Sequence, residues 1–141
     1  MEVGKVIYNI LYNDSTVSGI TTRIKPLFFP DPAKTVYPED VTPSIIYEVN
    51  NTTPTEVKGE SSPVDVFQVL ITSLEDDYSK SVTLSKAVRT ALDQYSGTNS
   101  GLIVDSIYFI DSDDNFIQNI HEGQSGIFVI EQLYRIRIKN S

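Results

Sequence analysis

From Thr42 to Tyr95 a proline-led apolar strand, a polar connection, a longer apolar strand and an amphipathic helix follow one another without a break, and this run constrains the fold more than any other. Pro43-Ser44-Ile45-Ile46-Tyr47-Glu48-Val49 alternates, which puts Ile45, Tyr47 and Val49 on one face. Its proline belongs at the strand start, where a missing N–H costs least. After Asn50 to Ser62, a polar stretch holding Pro54 and Gly59, Val64 to Leu74 is apolar on both parities, with Phe67, Val69 and Ile71 opposite Val64, Val66 and Leu70. Such a run reads as a central strand covered on both faces. Glu75-Asp76-Asp77 then supplies acids where a helix N-terminus attracts them. Tyr78, Val82, Ser85, Val88, Leu92 and Tyr95 give a helical stripe, and Gly97 offers a left-handed exit. This helix is expected to pack across the sheet formed by the strands on either side of it.

Val3, Val6, Ile7, Ile10 and Leu11 repeat at helical spacing, so the chain opens with a helix of about three turns that ends near Asn13-Asp14. Ile20 to Lys25 reads as a short strand, after which Pro26, Pro30, Pro32 and Pro38 interrupt regular structure. The resulting long loop carries Leu27, Phe28, Phe29, Val36 and Tyr37, too apolar for a solvated linker. It either folds back over the edge of the core or docks Phe28, Phe29 and Tyr37 on a neighbouring subunit. Leu102 to Ile110 reads as a strand, Asp111 to Asn115 as the turn of a hairpin, and Phe116 to Ile120 as its return. His121 to Ser125 is a second turn and Gly126 to Lys139 a long final strand.

At 141 residues the chain has the size of one domain, taken as 1–141, able to bury about 68% of its unfolded surface. Its 40% hydrophobic and 21% charged residues are those of an ordinary globular protein. No window suits a membrane span, the N-terminus lacks a leader pattern, and there is no cysteine, so a soluble protein made in the cytoplasm is expected. The glycosylation-like triplets at Asn13, Asn50 and Asn51 then read as chance matches. A net charge of -8 disfavours gripping DNA, since non-specific affinity comes from Lys and Arg on phosphates.

No constellation of reactive residues is complete in this sequence. Asp111, Asp113, Asn115 and Glu122 match positions 1, 3, 5 and 12 of a calcium loop, but Phe116 stands where that loop requires glycine and the flanks read as strands. His121 is the one histidine, so a zinc site has no second imidazole, and no Gly-x-Ser-x-Gly elbow supports a hydrolase built on it with Glu122. Gly97 and Gly101 are too sparse for a phosphate loop. The expectation is no catalytic residue, no cofactor and no metal. In the last strand Tyr134, Ile136 and Ile138 point one way and Arg135, Arg137 and Lys139 the other, so three of eleven basic residues share one face. That face is either solvated or an electrostatic seam with an acidic neighbour.

Taken in order, the helix Val3 to Tyr12, Ile20-Thr21-Thr22-Arg23-Ile24, the proline loop, Thr42-Pro43-Ser44-Ile45-Ile46-Tyr47, Val64-Asp65-Val66-Phe67-Gln68-Val69, Ala87-Val88-Arg89-Thr90-Ala91-Leu92 and Phe128 to Ile138 make the chain resemble the tail-completion proteins of long-tailed bacteriophages, also called tail terminators or tail-to-head joining proteins. The resemblance covers nearly the whole chain and rests on element order. It implies an α+β subunit, with an antiparallel sheet of about four to six strands on which the N-terminal helix and one longer helix pack. It implies a homomeric ring in the virion neck, with six subunits favoured and twelve as the alternative. Its partners would be the tail tube protein and a head connector or stopper, with the genome passing through without specific binding. A neck adaptor without a terminator role is the structural rival, and a small hydrolase or calcium-dependent module is the rival of another class.

Overall fold

The computed structural model describes residues 3–26, 43–51, 64–117 and 127–139. The opening periodicity forms α1 (Val3–Asn13), which buries the expected stripe of Val3, Val6, Ile7, Ile10 and Leu11. Gly4 lets this helix come down on the sheet, since a Cβ there would stand 3.3 Å from the Tyr47 ring. Asp14 ends α1 and starts α2 (Ser15–Ile20), its Oδ1 accepting the Thr16 and Val17 N–H groups at 3.0 Å. A cap of this kind contributes about 1 kcal/mol. It also corrects the strand expected from Ile20: that residue closes a helix, and the extended segment is the shorter β1 (Ile24–Pro26).

The remaining elements are β2 (Ser44–Asn51), β3 (Val64–Glu75), α3 (Tyr78–Leu92), β4 (Gly97–Asn99), β5 (Leu102–Ile117) and β6 (Ile127–Lys139). The strands form one sheet in the order β1-β2-β3-β6-β5-β4. The fold is α+β, with six strands among the described residues, as expected. One pair, β1 with β2, runs parallel, so the sheet is mixed rather than wholly antiparallel. Its connection passes outside the described residues.

Alternation divides the sheet into two faces. Ile45 and Tyr47 of β2, Val69 and Ile71 of β3, and Tyr134, Ile136 and Ile138 of β6 point inward and are buried with the α1 stripe, Leu84, Val88 and Leu92 in one core. Each fully buried side chain of this size contributes about 1.5–3 kcal/mol. The helices lie against this inner face, α1 on β1 and β2, α3 on β3, β5 and β6. β3 is central, as expected, but not covered on both faces. Its outward Val66, Gln68, Leu70 and Thr72 are half-buried, and only Leu74 at the far end is fully so.

The stripe of α3 is rotated from the expected one. Ser81, Leu84, Ser85, Ala87, Val88 and Leu92 face the sheet, while Tyr78 is 52% exposed and Tyr95 lies beyond the helix. The small serines allow close approach, and their hydroxyls return to the Tyr78 and Val82 carbonyls within the helix. Asp77 caps the N-terminus through the Lys80 N–H at 3.1 Å. The helix does not leave through Gly97. Asp93 ends it in extended conformation, Gln94 takes the left-handed φ of 66°, and Gln94 and Tyr95 exchange hydrogen bonds with Ile107 of β5. Above the same strand the Arg89 guanidinium sits 3.8 Å from the centre of the Phe109 ring.

The hairpin expected at Asp111 to Asn115 is absent. Leu102 to Ile117 is one strand, with irregularities between Val104 and Ser106 and between Phe109 and Asp111 that absorb the change of register against β6. Acidic side chains suit an exposed strand as well as a turn when they face water, and Asp111 to Phe116 are all exposed. The tight turn lies earlier, between β4 and β5, where Ser100 and Gly101 have φ of 52° and 78°. Two consecutive positive φ values suit the right-handed twist of a two-residue hairpin. The expected return strand Phe116 to Ile120 and second turn His121 to Ser125 lie largely outside the described residues, and Phe116 and Ile117 continue β5.

Candidate subunit interface

On the outward face of β6 the three basic residues expected from the alternation stand in a row. Arg135 lies between Gln68 of β3 and Tyr108 of β5, Arg137 between Val66 and Ser106, and Lys139 between Val64 and Ile103. All three are exposed, while the intervening Ile136 and Ile138 are fully buried. Arg137 Nε approaches Asp105 Oδ2 at 3.8 Å, a surface pair whose contribution is about 0–1 kcal/mol.

Beside this row β5 exposes Ile103, Tyr108 and Ile110, by 39%, 50% and 42%. The alternation does not mark these three, because Leu102 to Ile110 is apolar on both parities and gives no sign of which face is left open. A solvated antiparallel face favours alternating polar residues; tyrosine, isoleucine and arginine side by side are the composition of an interface core. Toward the other end of the same strands the outward residues become acidic, with Glu131 opposite Asp113 and Leu133 opposite Asp111. The face is thus divided by charge along its strands.

Phe28, Phe29 and Tyr37, the other expected interface residues, lie outside the described residues, as do His121 and Glu122. Asp111, Asp113 and Asn115 are carried on an extended strand, where same-face neighbours are roughly 6.6 Å apart and their oxygens fan out along the strand. No three His, Cys, Asp or Glu side chains converge for a metal among the described residues. Nor is any helix among them long and apolar enough to cross a membrane.

Among the described residues three buried ionisable groups are shifted by their surroundings. Burial, aided by the charge of Asp76, raises the Glu75 carboxyl above its ordinary value; it sits at the end of β3 in a cleft with Ile20, Pro43, Ser79 and Thr83. Burial and the neighbouring Tyr8 raise Tyr47, beneath Gly4 and Lys5 in a second cleft. Burial raises Tyr134 further, with Arg89 opposing and Asp93 adding to it.

No family model matches the chain, and no curated protein matches it. Among solved structures the fold is shared with a chain in the virion of a native gene transfer agent particle, at a TM-score of 0.69 and 14% identity, covering 96% of this chain and 92% of that one. The likeness extends over nearly the full length of both, so it concerns the whole arrangement of sheet and helices. At this identity it speaks for the fold.

Proposed function

We propose that the protein is a non-enzymatic structural component of a phage-like virion, acting as a ring at the head-proximal end of the tail, where it terminates the tail tube and joins it to the head connector. The observation that carries this reading is the full-length fold shared with a chain of a virion particle. It is supported by the resemblance in element order to tail-completion proteins and by the mixed apolar and charged outward sheet face, which suits contact with another protein. A six-membered ring is favoured. Such a ring acts geometrically, because a contact between two different patches of identical subunits closes when the rotation per subunit divides a full turn, leaving no free end.

Removal of the gene from a particle-forming system tests the role. Overlong tails on particles lacking the protein support termination of the tube; tails of normal length detached from heads support a joining role without termination. Normal particles would overturn both. Counting subunits in rings by electron microscopy fixes the ring order independently.

A further inference from the structure

Register carries one row of residues straight across the sheet. Lys25 of β1 pairs with Ile46, Ile46 with Thr72, Thr72 with Glu131, and Glu131 with Asp113 of β5. The next row runs in the same way from Ile24 to Asp114. Lys25 and Asp113 therefore stand at opposite sides of the sheet, at the same height and on the same outward face.

Both ends of these rows are open among the described residues. β4 pairs with β5 only from Leu102 to Val104, and Gln94, Tyr95 and Asp93 cover the backbone of Ile107 and Phe109. Beyond Phe109 no strand among the described residues lies outside β5. Those outward bonds of Ile107 and Phe109 fix the alternation: through the register with β6, the backbone groups of Ser112, Asp114 and Phe116 turn the same way, to the free edge. Ser112 is already provided for, since its N–H donates to Asp111 Oδ1 at 2.8 Å. At the opposite edge the Arg23 carbonyl accepts the Ile45 N–H at 2.8 Å, which turns Arg23 toward β2 and Ile24 outward.

We infer that a second copy of this chain docks edge to edge, β1 of one subunit against the Ser112–Asn115 segment of β5 in the next, a contact that rests on the ring reading and names its joint. The strands would be antiparallel, because β1 and β5 run in opposite directions in the sheet. Continuing the rows puts Ile24 opposite Asp114, both with outward backbone groups, as a hydrogen-bonded pair in which the Ile24 N–H exchanges its local bond to Thr22. Lys25 then faces Asp113 as the closely spaced pair between side chains. Pro26, which has no N–H to give, falls opposite Ser112, where the segment's own side chain already serves the N–H.

Charge selects this joint. The β1 edge carries Arg23 and Lys25, and the β5 edge Asp111, Asp113 and Asp114. Lysine and proline on a short edge strand ordinarily guard it against pairing with other chains, and here the lysine is met by an acidic edge. Two β1 edges, or two β5 edges, repel, which disfavours two-fold dimers; unlike edges attract, which favours the head-to-tail contact that a ring needs. The pairing is short and sets register, while other surfaces supply most of the buried area that a stable contact requires.

Charge reversal in both directions tests it. Lys25→Glu and Asp113→Lys are made singly and together, and ring assembly is followed by sedimentation and electron microscopy of purified protein and of assembled particles. Each single change should lower association about tenfold, and the double variant should recover most of the loss. Wild-type rings that tolerate both single changes, or a folded double variant without recovery, overturn the edge pairing and leave the ring standing. Absence of any wild-type ring, in particles as well as in purified protein, overturns the ring and the pairing together.

Discussion

Asp93 joins the end of α3 to the edge of β5: its N–H donates to the Arg89 carbonyl at 2.8 Å, and its Oδ1 accepts the Phe109 N–H at 3.0 Å. A carboxylate holding a strand-edge N–H makes a charge-assisted bond, worth about 1.5–3 kcal/mol. Asp93→Ala should destabilise by about that amount in chemical denaturation, and Asp93→Asn, which keeps an acceptor oxygen, by less. Equal losses in the two variants would show that the bond to Phe109 is not what matters.

Tyr134 gives the opposite case. Its ring is fully buried, edge-on to Phe109 at 5.7 Å, yet its hydroxyl has no hydrogen-bond partner among the described residues. Tyr134→Phe keeps the ring and removes a desolvated polar group, so it should be neutral or stabilising by about 1 kcal/mol. Tyr134→Ala should cost about 3–5 kcal/mol through the cavity it leaves. A marked loss of stability in the Phe variant would point to a partner for the hydroxyl in solution.

Tyr134 also marks what is legible in the sequence. Strict alternation from Tyr134 to Lys139 leaves one solution and puts Tyr134 on the inner face, and the spacing of Val3 to Leu11 specifies the helix in the same way. Periodicity fails where both parities are apolar: Leu102 to Ile110 gives no sign of which face is open, and the exposed Tyr108 was missed. Turn chemistry misled at Asp111 to Asn115, because acids that favour turns also guard an exposed edge. The alignment of Lys25 with Asp113 depends on four successive strand registers, and nothing local in the sequence encodes it. Of the candidate interface, the row of basic residues was readable and the apolar half beside it was not.

Glu75 should give a measurable pH dependence. The residue is 3% exposed, and burial raises its folded pKa above the ordinary 4.5. Between these values the unfolded chain has lost a proton that the folded chain retains, so fewer protons are bound in the unfolded state and stability falls as pH rises. The penalty is absent below the ordinary value and complete above the raised one. Glu75→Gln should therefore be more stable than wild type at neutral pH, with the difference shrinking as pH falls through that window. A difference that stays constant from neutral pH to below 4 would remove ionisation as its cause.

The outward face of β6 separates charge from packing in the proposed assembly. Arg135 and Arg137 are exposed, so reversing both to Glu should change monomer stability by no more than about 0.5 kcal/mol each. If they form a seam with acidic groups of a neighbour, the double reversal should weaken ring formation strongly at low salt and less at high salt, where screening removes attraction and repulsion alike. Tyr108, beside Arg135 in the next strand, should behave differently. Tyr108→Ala removes apolar contact and should weaken assembly by about 1 kcal/mol or more at every salt concentration. Sedimentation at two ionic strengths reads both effects, and rings unaffected by either change would mean that this face is solvated and that subunits meet elsewhere.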